Sequence, residues 1–333
     1  MTMARRSLGA TGPSVGALGL GCMGMSDFYG PADRNESLLT LDAALDGGAT
    51  LLDTGDFYGA GHNELLIAEA LRTRRREDVV ISVKFGALRD PAGGWTGYDA
   101  RPAAVKNFLA YSLKRLRSDY VDIYRPARLD PDVPIEDTVG AIGEMVKAGY
   151  VRHIGLSEVG AATIRRAAAV HPIADLQIEY SLVARGIEDA ILPACRDLGI
   201  GITAYGVLAR GLISGHWSKE REKAADSRRF ASRFAGENLD HNLALVEALR
   251  MVAAARGVGV AEIAIAWVLA QGDDIVPLVG ARKRGQWAES AKALALTLTP
   301  GDLEAIERAA PRGAARGERY PAMAMAHLDS EKR

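Results

Sequence analysis

Eight times along the chain a short apolar, β-branched run is followed by a longer amphipathic stretch, and this alternation limits the fold more than any other feature. Parallel neighbours in a sheet need a crossover between them, so the pattern is that of repeated βα units. The strand-like runs are Ala17–Gly21, Thr50–Thr54, Val79–Lys84, Val121–Arg125, Val151–Ser157, Leu176–Ser181, Gly201–Gly206 and Ile275–Gly280. Helix-like stretches lie near 35–47, 62–73, 101–116, 136–148, 160–170, 186–198, 241–271 (read as two helices) and 283–294. Asp33 and Asn35, Pro134-Ile-Glu-Asp and Thr299-Pro-Gly-Asp read as helix starts. Eight strands close a barrel. The expectation is a (β/α)8 TIM barrel, one domain over 1–333, with long βα loops and a C-terminal tail over its active-site face.

Alternation alone also suits an open doubly wound sheet. That alternative would favour a Gly-x-Gly-x-x-Gly turn opening a helix, but the nearest segment, Gly19-Leu-Gly-Cys-Met-Gly, leads into no helical pattern. Composition narrows the class further. An apolar share of 48% supports a sizeable core, and 41 basic against 42 acidic residues give no field of one sign to attract nucleic acid or a membrane surface. Met1-Thr-Met-Ala-Arg-Arg precedes no apolar h-region, and no run of about 18 apolar residues occurs. Cys22 and Cys195 are too few for a disulfide framework. A cytoplasmic protein with no membrane or nucleic-acid partner is expected.

In a barrel of this kind chemistry sits where the strands end and the βα loops converge. Asp53 ends the second strand, Tyr58 follows five residues on, and Lys84 ends the third. A phenol ordinarily titrates near 10. An adjacent ammonium favours phenolate, and a carboxylate can hold that ammonium in place, so the three make a tuned acid for protonating a forming alkoxide. The same spacing equally suits an ordinary buried Asp–Lys ion pair beside a packing tyrosine.

Further motifs follow in order: Gly19-Leu-Gly-Cys-Met-Gly-Met, Asp53-Thr-Gly-Asp-Phe-Tyr-Gly, His62-Asn-Glu, Val83-Lys-Phe, Ser112-Leu-Lys-Arg-Leu with Tyr120-Val-Asp, Gly149-Tyr-Val-Arg-His-Ile-Gly-Leu-Ser-Glu, Gln177-Ile-Glu-Tyr-Ser, Ala204-Tyr-Gly-Val-Leu-Ala-Arg-Gly and Val276-Pro-Leu-Val-Gly-Ala-Arg-Lys. Together they resemble the aldo-keto reductase superfamily from about Leu8 to about Ala309. The resemblance implies reversible hydride transfer between NADP(H) and a small-molecule carbonyl or alcohol, with no metal. It casts Tyr58 as general acid/base, Lys84 as its tuner and Asp53 as the partner of the lysine. It implies that Ser157 and Gln177 hold the nicotinamide carboxamide while Tyr205 stacks on the ring. It places Gly280, Ala281, Arg282 and Gln286 on the adenosine 2′-phosphate, and Glu289 and Ser290 by the adenine. Gly21, Cys22, Met23, Glu158, Gly206, Val207, Leu208 and Arg210 complete the implied cofactor contacts. Arg282 and Lys283 give a physical reason to prefer NADPH, since a guanidinium at a helix start suits a phosphate.

One position departs. The family carries a histidine in a Tyr-x-x-His-Arg-x-Asp-Pro stretch, and this chain reads Tyr124-Arg-Pro-Ala-Arg-Leu-Asp-Pro, with Ala127 in the place of the histidine. Loss of one preorganised donor to a developing oxyanion costs roughly 3 kcal/mol. Arg125 could supply the donor, or lie in a buried ion pair with Glu179 or Asp56. Alternatively the enzyme favours alcohol oxidation or another electrophile, or the chain is an NADPH-binding sensor with little turnover, as the family's potassium-channel beta subunits suggest. Candidate pocket walls are the loop after Phe85, the segment from Val207 to about Asp240, and the tail after Pro311, with Met23, Phe28, Tyr29, Phe57, Trp95 and Trp217 as apolar contacts and Phe230 and Phe234 nearby.

Overall fold

The computed structural model describes residues 3–217 and 231–332. Eight parallel strands close into a barrel: β1 (Gly19–Gly21), β2 (Leu51–Gly55), β3 (Val80–Phe85), β4 (Val121–Pro126), β5 (Val151–Ser157), β6 (Ile173–Glu179), β7 (Gly201–Tyr205) and β8 (Ile275–Gly280). β8 pairs back onto β1 through Gly280 and Gly21. All eight expected strands are present. The first is shorter than the sequence suggests, because Ala17 bonds to Ala4 below the barrel. The sixth starts earlier and stops at Glu179, where Ser181 turns back to bridge Ala184.

Helices fill the crossovers: α1 (Arg34–Asp46), α2 (His62–Ala70), α3 (Pro102–Leu116), α4 (Ile135–Lys147), α5 (Ala161–Val170), α6 (Ile191–Asp197), α7 (Gly236–Ala255), α8 (Val260–Leu269) and α9 (Arg284–Ala291). After them come α10 (Pro300–Ala309) and, in the tail, α11 (Ala322–Ala326). Asp33 caps α1 by accepting from the Glu36 amide at 2.7 Å, whereas Asn35 lies inside the helix. Thr299 and Asp302 bond reciprocally to start α10, a capping box with aspartate in the acidic position. The stretch 241–271 is two helices, α7 and α8, bent by 87° at their break. Among the described residues no single helix is long and apolar enough to cross a membrane.

Side chains alternate along each strand, so inward positions stack in layers inside the barrel. The lowest layer is apolar: Leu51, Ile123 and Val276, sealed from below by Leu8 and Val15. Val15 belongs to a hairpin (Arg5–Ser7 with Ser14–Gly16), and Leu8 lies in its turn; the alternation pattern does not reveal this hairpin. The next layer is polar. Arg125 is fully buried, with Nη1 3.0 Å from Asp175 Oδ2 and 3.2 Å from the Leu156 carbonyl, and Nη2 2.9 Å from Ser82 Oγ. Thr203 donates to the same aspartate oxygen. Arg125 therefore forms an ion pair, but its partner is Asp175, two inward positions below Glu179 on the same strand. Its guanidinium is held in the barrel interior rather than raised to the mouth, which removes it as a donor to substrate.

Candidate active site

The uppermost inward positions of the strands form one polar layer. Asp53 on β2 accepts from Lys84 Nζ on β3 at 2.5 Å, from Gln177 Nε2 on β6 at 2.7 Å and from Ser82 Oγ at 3.2 Å. Ser157 pairs in register with Gln177. Lys84 and Asp53 are both buried, so each charge depends on the other.

Tyr58 lies just past β2 in a tight turn, 5% exposed, with Lys84 Nζ 5.1 Å from its ring centre. Asn63, buried in α2, fixes this turn: it accepts from Thr54 Oγ1 at 2.7 Å and donates to the Cys22 carbonyl at 2.9 Å. The expected acidic phenol is reversed here. Burial holds Tyr58 well above its ordinary value and Asp53 adds to the effect; Arg128 opposes them. In the resting site the Lys84 ammonium is bonded to Asp53, so little of its charge is left to draw a proton from the phenol. Burial also lowers the pKa of Lys84 against the pull of Asp53. Tyr58 is consequently a protonated phenol, the form a proton donor needs.

The residues implied for a cofactor lie around the same mouth. Gly21 and Gly280 sit side by side, the first half-buried and the second exposed, so bare backbone of β1 and β8 meets at the mouth. Cys22 and Met23 follow Gly21, the cysteine buried and bonded through its amide to the Asp53 carbonyl. Ala281 is buried behind Gly280, and Arg282, Lys283 and Arg284 lead into α9. The Arg282 amide donates to Gln286 Oε1 at 2.9 Å, and its Nη1 donates to the Tyr29 carbonyl at 2.7 Å. Ser290 bonds back to the Gln286 carbonyl, and Glu289 meets His216 from the segment after β7 at 3.1 Å. Arg284 is paired with Glu36, 3.0 Å away.

On the other side, Tyr205 ends β7, followed by Gly206, Val207, Leu208 and, in left-handed backbone, Arg210. Gly206 needs its lack of a side chain: its φ is +67° and a Cβ would lie 2.9 Å from Glu179. The Tyr205 hydroxyl bonds to Glu158 at 2.6 Å and to the Tyr320 hydroxyl at 2.7 Å. Arg210 sits 4.0 Å from the centre of the Tyr320 ring. Glu158, implied as a cofactor contact, is here fully buried and gripped by Arg319. The tail does lie over the mouth, as expected. Its two inserted residues, Arg319 and Tyr320, have no local pattern that marks them, and neither does Asp175. Sequence reasoning also missed Ser82 and Arg128, although a signal marks each: one is two positions before Lys84 on the same face, the other directly follows Ala127.

Among the apolar candidates, Phe28, Phe57 and Trp95 gather around Tyr58. Phe57 meets it edge-on at 4.8 Å and Phe28 at 6.5 Å, while Phe28 stacks on Trp95 at 5.7 Å. Trp95 is presented by a hairpin (Ala87–Arg89 with Trp95–Tyr98) formed from the loop after β3. Trp217 instead packs on Phe234 at 5.1 Å. Phe230, together with 218–230 of that wall, lies outside the described residues. A groove of about 810 Å³ opens at the opposite end of the barrel, beside Arg6, Arg196, Leu269 and Asp273. It lies away from the strand ends that carry the chemistry, and geometry assigns the active site to the mouth despite the size of that groove.

A closed parallel barrel with a buried Asp–Lys pair and a protonated tyrosine at its C-terminal mouth defines a (β/α)8 enzyme. The sequence profile of the Aldo/keto reductase family matches residues 17–311. A probable aldo-keto reductase 1 of Glycine max is 40% identical over 316 residues, covering 94% of this chain and 90% of the relative. A glycerol dehydrogenase of Gluconobacter oxydans superposes with a TM-score of 0.85 at 26% identity, covering 95% of this chain and 98% of its own. The holo form of an aldo-keto reductase of Bacillus halodurans gives 0.77 at 26% identity, covering 94% and 100% respectively. The chain belongs to the aldo-keto reductase family and is an oxidoreductase acting on the carbonyls of small molecules.

Proposed function

We propose that the protein reduces aldehydes, ketones or related small carbonyl compounds reversibly with NADPH in the cytoplasm, with Tyr58 as the proton donor. One observation carries the reading: Tyr58, held protonated, stands beside a Lys84–Asp53 pair that Gln177 braces from the far side of the barrel. The residues present fit the dinucleotide. Side chains are missing where Gly21 and Gly280 meet at the mouth, and Arg282 and Lys283 bring positive charge to the start of α9 for a 2′-phosphate, although Glu36 now takes the Arg284 amide. Gln177 gives its amide nitrogen to Asp53, so its oxygen is the end left to accept from a carboxamide, beside Ser157. Tyr205 is the ring available to stack.

Bound NADPH supplies the hydride that reaches the carbonyl carbon. As that carbon is reduced, electron density moves to the oxygen, which takes the proton of Tyr58. Lys84 stabilises the phenolate left behind, and Asp53 keeps the lysine charged and aimed. Phe28, Phe57 and Trp95 favour a flat apolar substituent on the carbonyl.

NADPH consumption with a panel of aldehydes and ketones tests the reading. Turnover that falls at least about a hundredfold in Tyr58→Phe supports it. Tight uptake of NADPH, read by quenching of tryptophan fluorescence, without turnover of any substrate would favour the sensor reading that Ala127 suggests. A third possibility, lyase or isomerase chemistry, requires that the dinucleotide not bind.

A further inference from the structure

We propose that Arg128 takes the part of the missing imidazole, donating a hydrogen bond to the substrate's carbonyl oxygen while hydride arrives at the carbon. The inference rests on the reductase reading above. Ala127 is fixed at the end of β4 by a bond from its amide to the Phe85 carbonyl, 2.8 Å, and its methyl group fills little of the space a ring would take. The next side chain folds back over it: Arg128 Nη1 donates to the Ala127 carbonyl at 2.6 Å and lies 3.5 Å from Ser157 Oγ. Ser157 is the register partner of Gln177, which holds Asp53, which holds Lys84. The guanidinium therefore stands at the rim of the layer that Tyr58 faces.

Its company differs from that of Arg125 and Arg319. Arg125 is paired with Asp175, and Arg319 with Glu158 and Glu179. Among the described residues no carboxylate lies within ion-pair distance of Arg128. Its near neighbour on one side is Tyr320, whose ring centre is 5.9 Å away, and it is partly exposed to the mouth. A guanidinium carries five donors and never loses its charge in the working range of an enzyme. One nitrogen is committed to Ala127, which orients the rest. Arg128 is also the charge that most favours phenolate at Tyr58, so it sits within electrostatic reach of the acid. In the step itself the carbonyl π pair moves to oxygen, the proton comes from Tyr58, and Arg128 keeps all its protons. Its charge stabilises the alkoxide as it forms.

The experiment uses the full chain, with benzaldehyde as substrate and benzoate as a probe that carries negative charge where the carbonyl oxygen develops it. Arg128→Met should lower kcat about a hundredfold while the Kd for NADPH, read by fluorescence, stays within about threefold. Benzoate affinity for the NADP+ complex, read by calorimetry, should fall at least about tenfold. Arg128→Lys should recover part of both losses. Ala127→His should change the wild type by less than about threefold but raise the Arg128→Met variant at least about tenfold, because imidazole and guanidinium then serve one position. Unchanged kcat and benzoate binding in Arg128→Met, or a loss confined to NADPH affinity, would overturn this inference alone. A wild type that takes up no dinucleotide would overturn the reductase reading and this inference with it.

Discussion

Arg319 grips Glu158 with two nitrogens, Nη1 2.9 Å from Oε1 and Nη2 2.6 Å from Oε2. The same guanidinium reaches Glu179 at 3.1 Å and Glu331 at 2.7 Å, so one tail residue ties together the ends of β5 and β6. Tyr320, next in sequence, lands on the Tyr205 hydroxyl. A latch of this kind positions the tail without a hydrophobic core of its own.

Glu158 makes this latch pH-dependent. Burial alone would raise its pKa, but the charge and hydrogen bonds of Arg319, with help from Arg128 and Tyr205, bring it down to about 2. The folded value is below that of an unfolded glutamate, near 4.3. The pair's contribution is therefore complete above about pH 4.3 and lost as pH falls toward 2, about 3 kcal/mol in all. Arg319→Met leaves a fully buried carboxylate unpaired and should cost about 3–5 kcal/mol at neutral pH. Thermal melts against pH check this: the variant should melt lower at pH 7, and the acid limb between about pH 4.3 and 2 should flatten. An identical melting curve for both proteins would show that the latch carries no load.

The barrel was legible because a period of two and a period near 3.6 alternate eight times, and each crossover is local in sequence. Asp53, Tyr58 and Lys84 were legible because they end strands or follow one closely. What pairs with Arg125 was not, because the choice among Asp175, Glu179 and Asp56 depends on the stagger between β4 and β6, which are not neighbours in the sheet. Asp175 lies 50 positions away in sequence and two inward positions below Glu179 on its strand. The latch was illegible for the same reason: Arg319 meets Glu158 across 161 positions, and no periodicity reports such a contact. The pKa of Tyr58 went the other way from expectation because spacing shows which charges are near, whereas burial, the larger effect, follows only from the packed structure.

Buried as it is, the Arg125–Asp175 pair should behave as a structural element. Arg125→Met leaves Asp175 charged in the barrel interior and should destabilise by about 3–5 kcal/mol, while Arg125→Met with Asp175→Leu should recover most of that loss. The kcat of the folded Arg125→Met protein should fall by less than about tenfold, because the residue bonds to the catalytic layer through Ser82 and not to the reacting groups. Chemical denaturation and initial rates on the same samples separate the two. A full loss of turnover with unchanged stability would return Arg125 to the list of groups that touch substrate.

Asp56 predicts the opposite slope with pH. It is buried beside Glu64, and burial first and that neighbouring acid second raise its pKa to about 8, against the pull of Arg115. Its Oδ2 has no hydrogen-bond partner among the described residues. The folded form holds a proton that the unfolded chain releases near pH 4, so this residue's effect on stability worsens as pH rises from about 4 to about 8, by up to about 5 kcal/mol. Asp56→Asn keeps the shape and removes the titration. Its melting temperature should match the wild type at pH 5 and exceed it by roughly 3 °C at pH 9. Equal shifts at both pH values would mean that Asp56 does not titrate in the fold.

Phe28 shows where backbone strain and specificity meet. Its φ is +68°, a left-handed conformation that a bulky side chain adopts at a cost of about 1–3 kcal/mol. The strain aims its ring at Tyr58, against Trp95, with Arg89 5.2 Å from the ring centre and ion-paired to Asp27. Glycine occupies the same backbone freely, so Phe28→Gly exchanges strain relief for lost ring contacts, and stability should move by less than about 1 kcal/mol. The substrate side should not balance in this way. With the stacking face gone, KM for a flat aromatic aldehyde should rise about tenfold, worth about 1.4 kcal/mol, while KM for a short aliphatic aldehyde changes little. Measuring both substrates on one preparation decides it. A parallel rise for the two would assign Phe28 to general closure of the mouth, and no rise for either would place its ring outside the path of the substrate.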